Sequence, residues 1–218
     1  MHPYLQTDAR SGRSDGGYHF LHTNVILRHA CCAPGEAEEH IDNILTQAAV
    51  LKRRVWVSSM LFAELRPSMF VAGRFDTFHE FTRYIRSLVT LVTPDPNTML
   101  RVARLRDAKW LRPTDVREAD EKPRMMSFTD ALQIASALWV KEVGGVADLK
   151  FLMFDDLSSP ETRGAARLSP LRLQDYAVDA RANSDVMAAV QLTRIQPSRQ
   201  TRPIPQSAPA KQESSAIS

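Results

Sequence analysis

Cysteine is nearly absent, and the two that occur, Cys31 and Cys32, are neighbours. Adjacent cysteines rarely bridge, which excludes a disulfide framework. With no residues between them, the pair also lacks the spacing of a structural zinc site. The expected state is two reduced thiols packed as small apolar groups, with a paired-thiol metal or redox role as the alternative. Long apolar runs are missing too. No stretch of about 20 apolar residues is present to cross a membrane. Residues 1–17 are polar and rich in Gly, Ser and Asp, without the apolar centre of a signal peptide. A cytoplasmic protein with no membrane association is therefore expected. No glycine-rich phosphate loop, Walker lysine or dinucleotide fingerprint appears. An excess of one charge sign is lacking as well. The net charge of +3 is compatible with nucleic acid but too weak to argue for it.

Short β-like runs alternating with helical patterns are what the chain does have. The first strand is expected at Tyr18 to Leu21, with Thr23-Asn24 as a turn before a helix over Val25 to Cys32. Residues 36–51 carry Ile41, Leu45, Ala48 and Ala49 on one helical face. Val-Trp-Val within 54–58 predicts the second strand, and Ser59 is placed to cap a helix carrying Glu64 two turns in. Phe75, Phe78, Phe81, Ile85 and Leu88 form the apolar stripe of another helix. A third strand is expected over 88–92, then a helix over 97–110 whose Arg101, Arg104 and Arg106 read as a solvated face or as phosphate grips. Residues 112–124 read as a surface loop. Ser127-Phe-Thr-Asp130 matches a helix start, and the helix to about Val143 is apolar enough to be buried, ended by Gly144-Gly145. A buried strand is expected at 149–154 and a last one at 169–173. The expected organisation is a leader over 1–17, one domain over 18–178, and a mostly disordered polar tail over 179–218.

Strands alternating with helices imply a mainly parallel sheet with helices on both faces, a three-layer α/β/α sandwich. Ligands in such sheets bind beyond the carboxyl ends of the strands. His22, Glu64, Asp130 and Asp155 all fall at strand ends or near helix starts, so they can share a pocket there. Crowded carboxylates repel unless a cation neutralises them. Mg²⁺ or Mn²⁺ would do so through oxygen ligands, and such a metal supports phosphodiester cleavage. Singly, each acid has a plainer explanation: Asp130 as a helix-start partner, Glu64 as a surface residue, Asp155 and Asp156 as turn formers. Together they point to a site.

These segments resemble the PIN-domain family, close to the VapC-type ribonuclease toxins of bacterial toxin–antitoxin pairs. Phe-Leu-His22-Thr-Asn24-Val-Ile-Leu is similar to the family's first strand and turn. Ser58-Ser59-Met-Leu-Phe-Ala-Glu64-Leu is similar to its second motif, and Asp130-Ala-Leu-Gln-Ile-Ala-Ser-Ala closely resembles the third. Leu152-Met-Phe-Asp155 resembles the fourth, with Met153 where a threonine is common. The resemblance spans roughly Tyr18 to Tyr176. It implies a short-stranded parallel sheet between helices and metal-dependent RNA cleavage with Mg²⁺ or Mn²⁺. Glu64, Asp130 and Asp155 become metal-site acids, and Asn24 the polar residue that orients them. RNA, a cognate antitoxin and a homodimer are the implied partners. The departure is His22, which stands where the family carries an aspartate. Three outcomes are open: a weakened or inactive nuclease, a site in which His22 is itself a ligand with shifted metal preference, or one in which another acid such as Asp156 fills the gap.

Overall fold

The computed structural model describes residues 17–31, 36–50, 54–70, 75–117, 119–154, 168–178, 183–197 and 201–203. Asp155, Asp156 and Cys32 lie outside them, as do nearly all of the expected leader and the last residues of the expected tail. Cys31 is exposed rather than packed.

Five strands form one parallel sheet. They are β1 (Tyr18–Leu21), β3 (Val55–Ser58), β4 (Thr90–Val92), β6 (Leu149–Leu152) and β8 (Thr193–Ile195), in the order β4-β3-β1-β6-β8. Every pairing in it is parallel. The chain builds outward from β1 through β3 to β4, then returns to the other side of β1 for β6 and β8. Connections leaving the carboxyl ends of β1 and β6 therefore diverge, which makes this the switch point where open α/β sheets form their ligand crevice. Phe20 pairs in register with Phe151, and Leu21 with Leu152. The ladder continues one step further, with the His22 N–H donating to the Leu152 carbonyl at 2.9 Å.

Alternation along these strands splits the core into two apolar clusters, since successive side chains point to opposite faces. Phe20, Trp56 and Phe151 enter one cluster, with residues of α5 (Pro96–Asp107), α6 (Phe128–Glu142) and α7 (Ser184–Gln191). Leu21, Val55, Val57 and Leu152 enter the other, with residues of α1 (Thr23–Ala30), α2 (Glu39–Ala49) and α4 (Phe78–Leu88). The fold is α/β with helices packed on both faces of a parallel sheet, compatible with three layers. Among the described residues no helix is long and apolar enough to cross a membrane.

Several expectations need correction. Thr23 and Asn24 are not a turn but the first residues of α1, because the His22 ring caps that helix. Glu36–Glu38 is a strand, β2, paired with β9 (Thr201–Pro203), a partner too distant in sequence to leave a local signal. Ser59 is not the cap: the following helix has Met60 at that position with no side-chain cap hydrogen bond, and the Ser59 N–H donates to the Val92 carbonyl at 2.8 Å. Helix α3 (Leu61–Glu64) is a single turn, so Glu64 closes it rather than lying two turns in. Pro67 lies just beyond, and the residue before a proline resists the α conformation. Trp110 leaves the helix of 97–110 to pair in a two-stranded sheet, β5 (Trp110–Leu111) with β7 (Ala177–Val178). The strand expected at 169–173 is a 3-10 helix, Pro170–Asp175. The sheet's true last strand, β8, comes from within the segment expected to be a disordered tail, and α7 precedes it. The ordered domain thus passes beyond residue 178.

The arginines of α5 are not a uniform solvated face. Arg101 donates to Asp185 at 2.8 Å and to Glu142 at 2.7 Å, and Arg104 also pairs with Asp185. This joins α5, α6 and α7. Burial alone would push the Asp185 carboxyl up, but hydrogen bonds and charge from Arg104 and Arg101 outweigh it and hold the group below its usual value. A lowered folded-state value gives stabilisation that is complete above the unfolded-state value, about 3.9, and is lost as pH falls through the folded one. Asp185→Asn should therefore lower stability at neutral pH and narrow its gap from wild type below about pH 4. Urea titrations at several pH values check this, and a gap constant with pH would refute it.

Arg194 of β8 serves α7 differently. Its guanidinium donates to the Ala189 and Val190 carbonyls at the end of that helix and to Gln174 at 2.7 Å. Carbonyls in the last turn of a helix lack the usual i+4 partner; the Leu192 N–H reaches Ala189 at 3.3 Å, and the cation supplies the further contacts. Burial lowers the Arg194 pKa to about 10, against the opposing charge of Asp175. In the loop of 112–124, Glu121 sits between Arg112 at 2.8 Å and Arg124 at 3.7 Å. That loop is tied down by ions, though it reads as plain surface in sequence.

Candidate functional site

His22 leaves the end of β1 and caps α1. Its Nδ1 accepts from the Asn24 N–H at 3.1 Å, the role a carboxylate oxygen fills at many helix starts. With Nδ1 accepting, the proton of a neutral ring is on Nε2. That atom lies 3.3 Å from Asp130 Oδ1. The approach is not aligned as a hydrogen bond, and Nε2 is buried without a hydrogen-bond partner. The ring meets Phe151 edge-on at 6.0 Å.

Asp130 is 2% exposed, in the first turn of α6. Ser127 caps the helix by accepting from the Asp130 N–H at 3.0 Å, and its hydroxyl donates to Asp130 Oδ2 at 2.6 Å. The carboxylate is thus fixed by its own helix start and turned toward β1.

Gln133 stands one helical turn after Asp130 and is fully buried. Its amide nitrogen donates to Thr23 Oγ1 at 2.7 Å and to Glu64 Oε1 at 3.3 Å. One side chain therefore links the start of α1 to the end of α3. The Gln133 carbonyl oxygen is buried with no hydrogen-bond partner. Unpaired buried polar atoms are costly, and they gather where a ligand or water belongs. Here two of them, His22 Nε2 and Gln133 Oε1, belong to residues that touch the two acids.

Asn24 acts on the exit of β6. Its side-chain amide donates to the Phe154 carbonyl at 2.6 Å, and its side-chain oxygen accepts from the Phe154 N–H at 3.2 Å. This two-point clamp fixes the backbone one residue before Asp155, which itself lies outside the described residues. Arg28, one turn after Asn24, places its guanidinium 4.9 Å from the centre of the Phe154 ring.

Asp130 and Glu64 are thus joined through Gln133 and its helix, and Asn24 anchors the segment that leads to Asp155. Among the described residues no three His, Cys, Asp or Glu side chains gather tightly enough to hold a metal ion by themselves. No family model matches this chain, and no curated protein or solved structure is significantly similar to it. Sequence reasoning missed Gln133 and Thr23. Gln133 was legible as a polar residue one turn from Asp130 within an apolar helix, where a buried amide needs partners. Thr23 had no signal beyond its place next to His22.

Proposed function

We propose that this protein is a metal-dependent endoribonuclease of the PIN type, similar to VapC toxins, with activity lowered by His22. The observation that carries this reading is the convergence of Asp130, the Gln133-linked Glu64 and the Asn24 clamp at the crevice between β1 and β6. Hard divalent cations prefer oxygen donors, and Asp130 and Glu64 supply them. Asp155 would be the third acid. The buried Gln133 carbonyl oxygen, which has no hydrogen-bond partner, fits a centre that takes a hydrated cation. Such an ion would supply an activated water and stabilise charge developing on phosphate. Cytoplasmic placement, an antitoxin partner and a homodimer belong to the same reading.

His22 favours a second reading, a non-catalytic PIN-like module that binds RNA or protein. For Nε2 to ligate a metal it must give up its proton, and Nδ1 would then carry one and face the Asn24 N–H, donor against donor. The capping geometry therefore argues against His22 as a ligand. It leaves the centre one carboxylate short.

His22→Asp separates the two. An aspartate keeps the helix cap and restores oxygen ligands. Without metal it adds repulsion beside Asp130. We expect Mn²⁺ and Mg²⁺ affinity by calorimetry to rise at least about tenfold, with faster cleavage of structured RNA. Cleavage only by the variant supports the non-catalytic reading of the wild type. Absence of cleavage by both proteins in both metals sinks the nuclease assignment.

A further inference from the structure

Phe128 opens α6, directly after the capping Ser127 and two residues before Asp130. It is 42% exposed, the one phenylalanine among the described exposed large apolar side chains. The Arg106 guanidinium, from the last turn of α5, lies 5.6 Å from the centre of its ring. Arg101 and Arg104 spend their charge on Asp185, whereas Arg106 has no ion pair among the described residues. Helical positions two apart are separated by about 200° around the axis and about 3 Å along it. Asp130 therefore turns inward to the crevice while Phe128 turns outward at the same helix head.

We infer that Phe128 and Arg106 form a stacking subsite for one unpaired base of an RNA strand crossing the head of α6. This rests on the ribonuclease reading, because the strand's phosphate would lie toward Asp130. Stacking on an aromatic face is the sequence-tolerant way to hold single-stranded nucleic acid. A cation beside the ring adds attraction for the backbone and for the base's π-face. A base inside a duplex already has neighbours on both faces, so the subsite selects single-stranded segments. It adds an apolar, orienting contact next to acids that would otherwise repel phosphate.

The test is fluorescence anisotropy on the full chain, in chelator, with a short labelled single-stranded RNA and a duplex of the same sequence. Phe128→Ala should weaken single-strand binding roughly tenfold or more. Phe128→Trp should restore it, with duplex binding equal in wild type and both Phe128 variants, and Arg106→Gln should weaken single-strand binding several-fold while lowering duplex binding less. Circular dichroism confirms folding. Unchanged binding by a folded Phe128→Ala protein overturns the subsite. So does equal loss for single strand and duplex, or an absence of single-strand binding by wild type. The measurement contains no metal and reads no cleavage, so an inactive wild type that still shows the Phe128 dependence would sink the nuclease assignment alone. An active wild type without that dependence would sink the subsite alone.

Discussion

Asp130→Asn will leave a folded protein that has lost at least about 100-fold of any metal-dependent RNA cleavage, since even groups that only support a metal ligand cost about 10- to 100-fold. The substitution removes one negative charge and little else. Asparagine keeps the size of the side chain and an oxygen that can accept from the Ser127 hydroxyl, now 2.6 Å from Oδ2. The cap through the N–H of position 130 is a backbone contact and survives. Loss of favourable charge at a helix start is worth only about 0.3–1 kcal/mol, so the melting temperature should move by a few degrees at most. Rates are compared at saturating Mn²⁺ with matched preparations. Where wild-type cleavage is slow, the His22→Asp background supplies the signal. Equal rates with and without the Asp130→Asn substitution would show that the activity belongs to a contaminant.

The largest stability effect is expected from Phe151→Ala. Phe151 is completely buried at the centre of β6, stacked on Phe20 with ring centres 5.7 Å apart. It also backs the His22 ring. Truncating a buried phenylalanine costs about 3–5 kcal/mol, because apolar burial is lost and the cavity refills only in part. A single domain commonly has about 5–15 kcal/mol in total, so much of the margin would go. Urea unfolding should show a lower midpoint with little change in slope. Tyr18→Ala is the comparison, at 38% exposure on the same sheet, and should cost far less. A midpoint shift for Phe151→Ala no larger than that of Tyr18→Ala would contradict the core assignment.

Patterns confined to one element were legible in the sequence. Ser127 and Asp130 signal a helix start through a three-residue spacing, and the structure has that start with both hydrogen bonds made. The run of 149–154 reads as a buried strand because it has few polar positions, and the structure has one over Leu149–Leu152. What failed needed partners from elsewhere. Residues 36–38 have helical company on one side, and only β9 makes them a strand. Thr193–Ile195 looks like polar tail, yet a free edge of β6 was waiting for it. Glu64 was legible as an acid near a helix, while its place depended on how soon α3 ended. Gln133 stood out as a polar residue in an apolar helix, but nothing in the sequence said which neighbours its amide would reach.

Pairing of β8 with β6 also sets the order in which the molecule becomes competent. The Met153 N–H donates to the Ile195 carbonyl at 3.1 Å, immediately before the residue that Asn24 clamps. During synthesis β1, β3 and β4 emerge first and can associate, but β6 keeps one bare edge until residue 195 has left the ribosome. The wall of the crevice is therefore among the last parts to be secured. A chain stalled before that point would display His22, Glu64 and Asp130 without a firm frame around them, and the crevice would tighten only once β8 had joined the sheet.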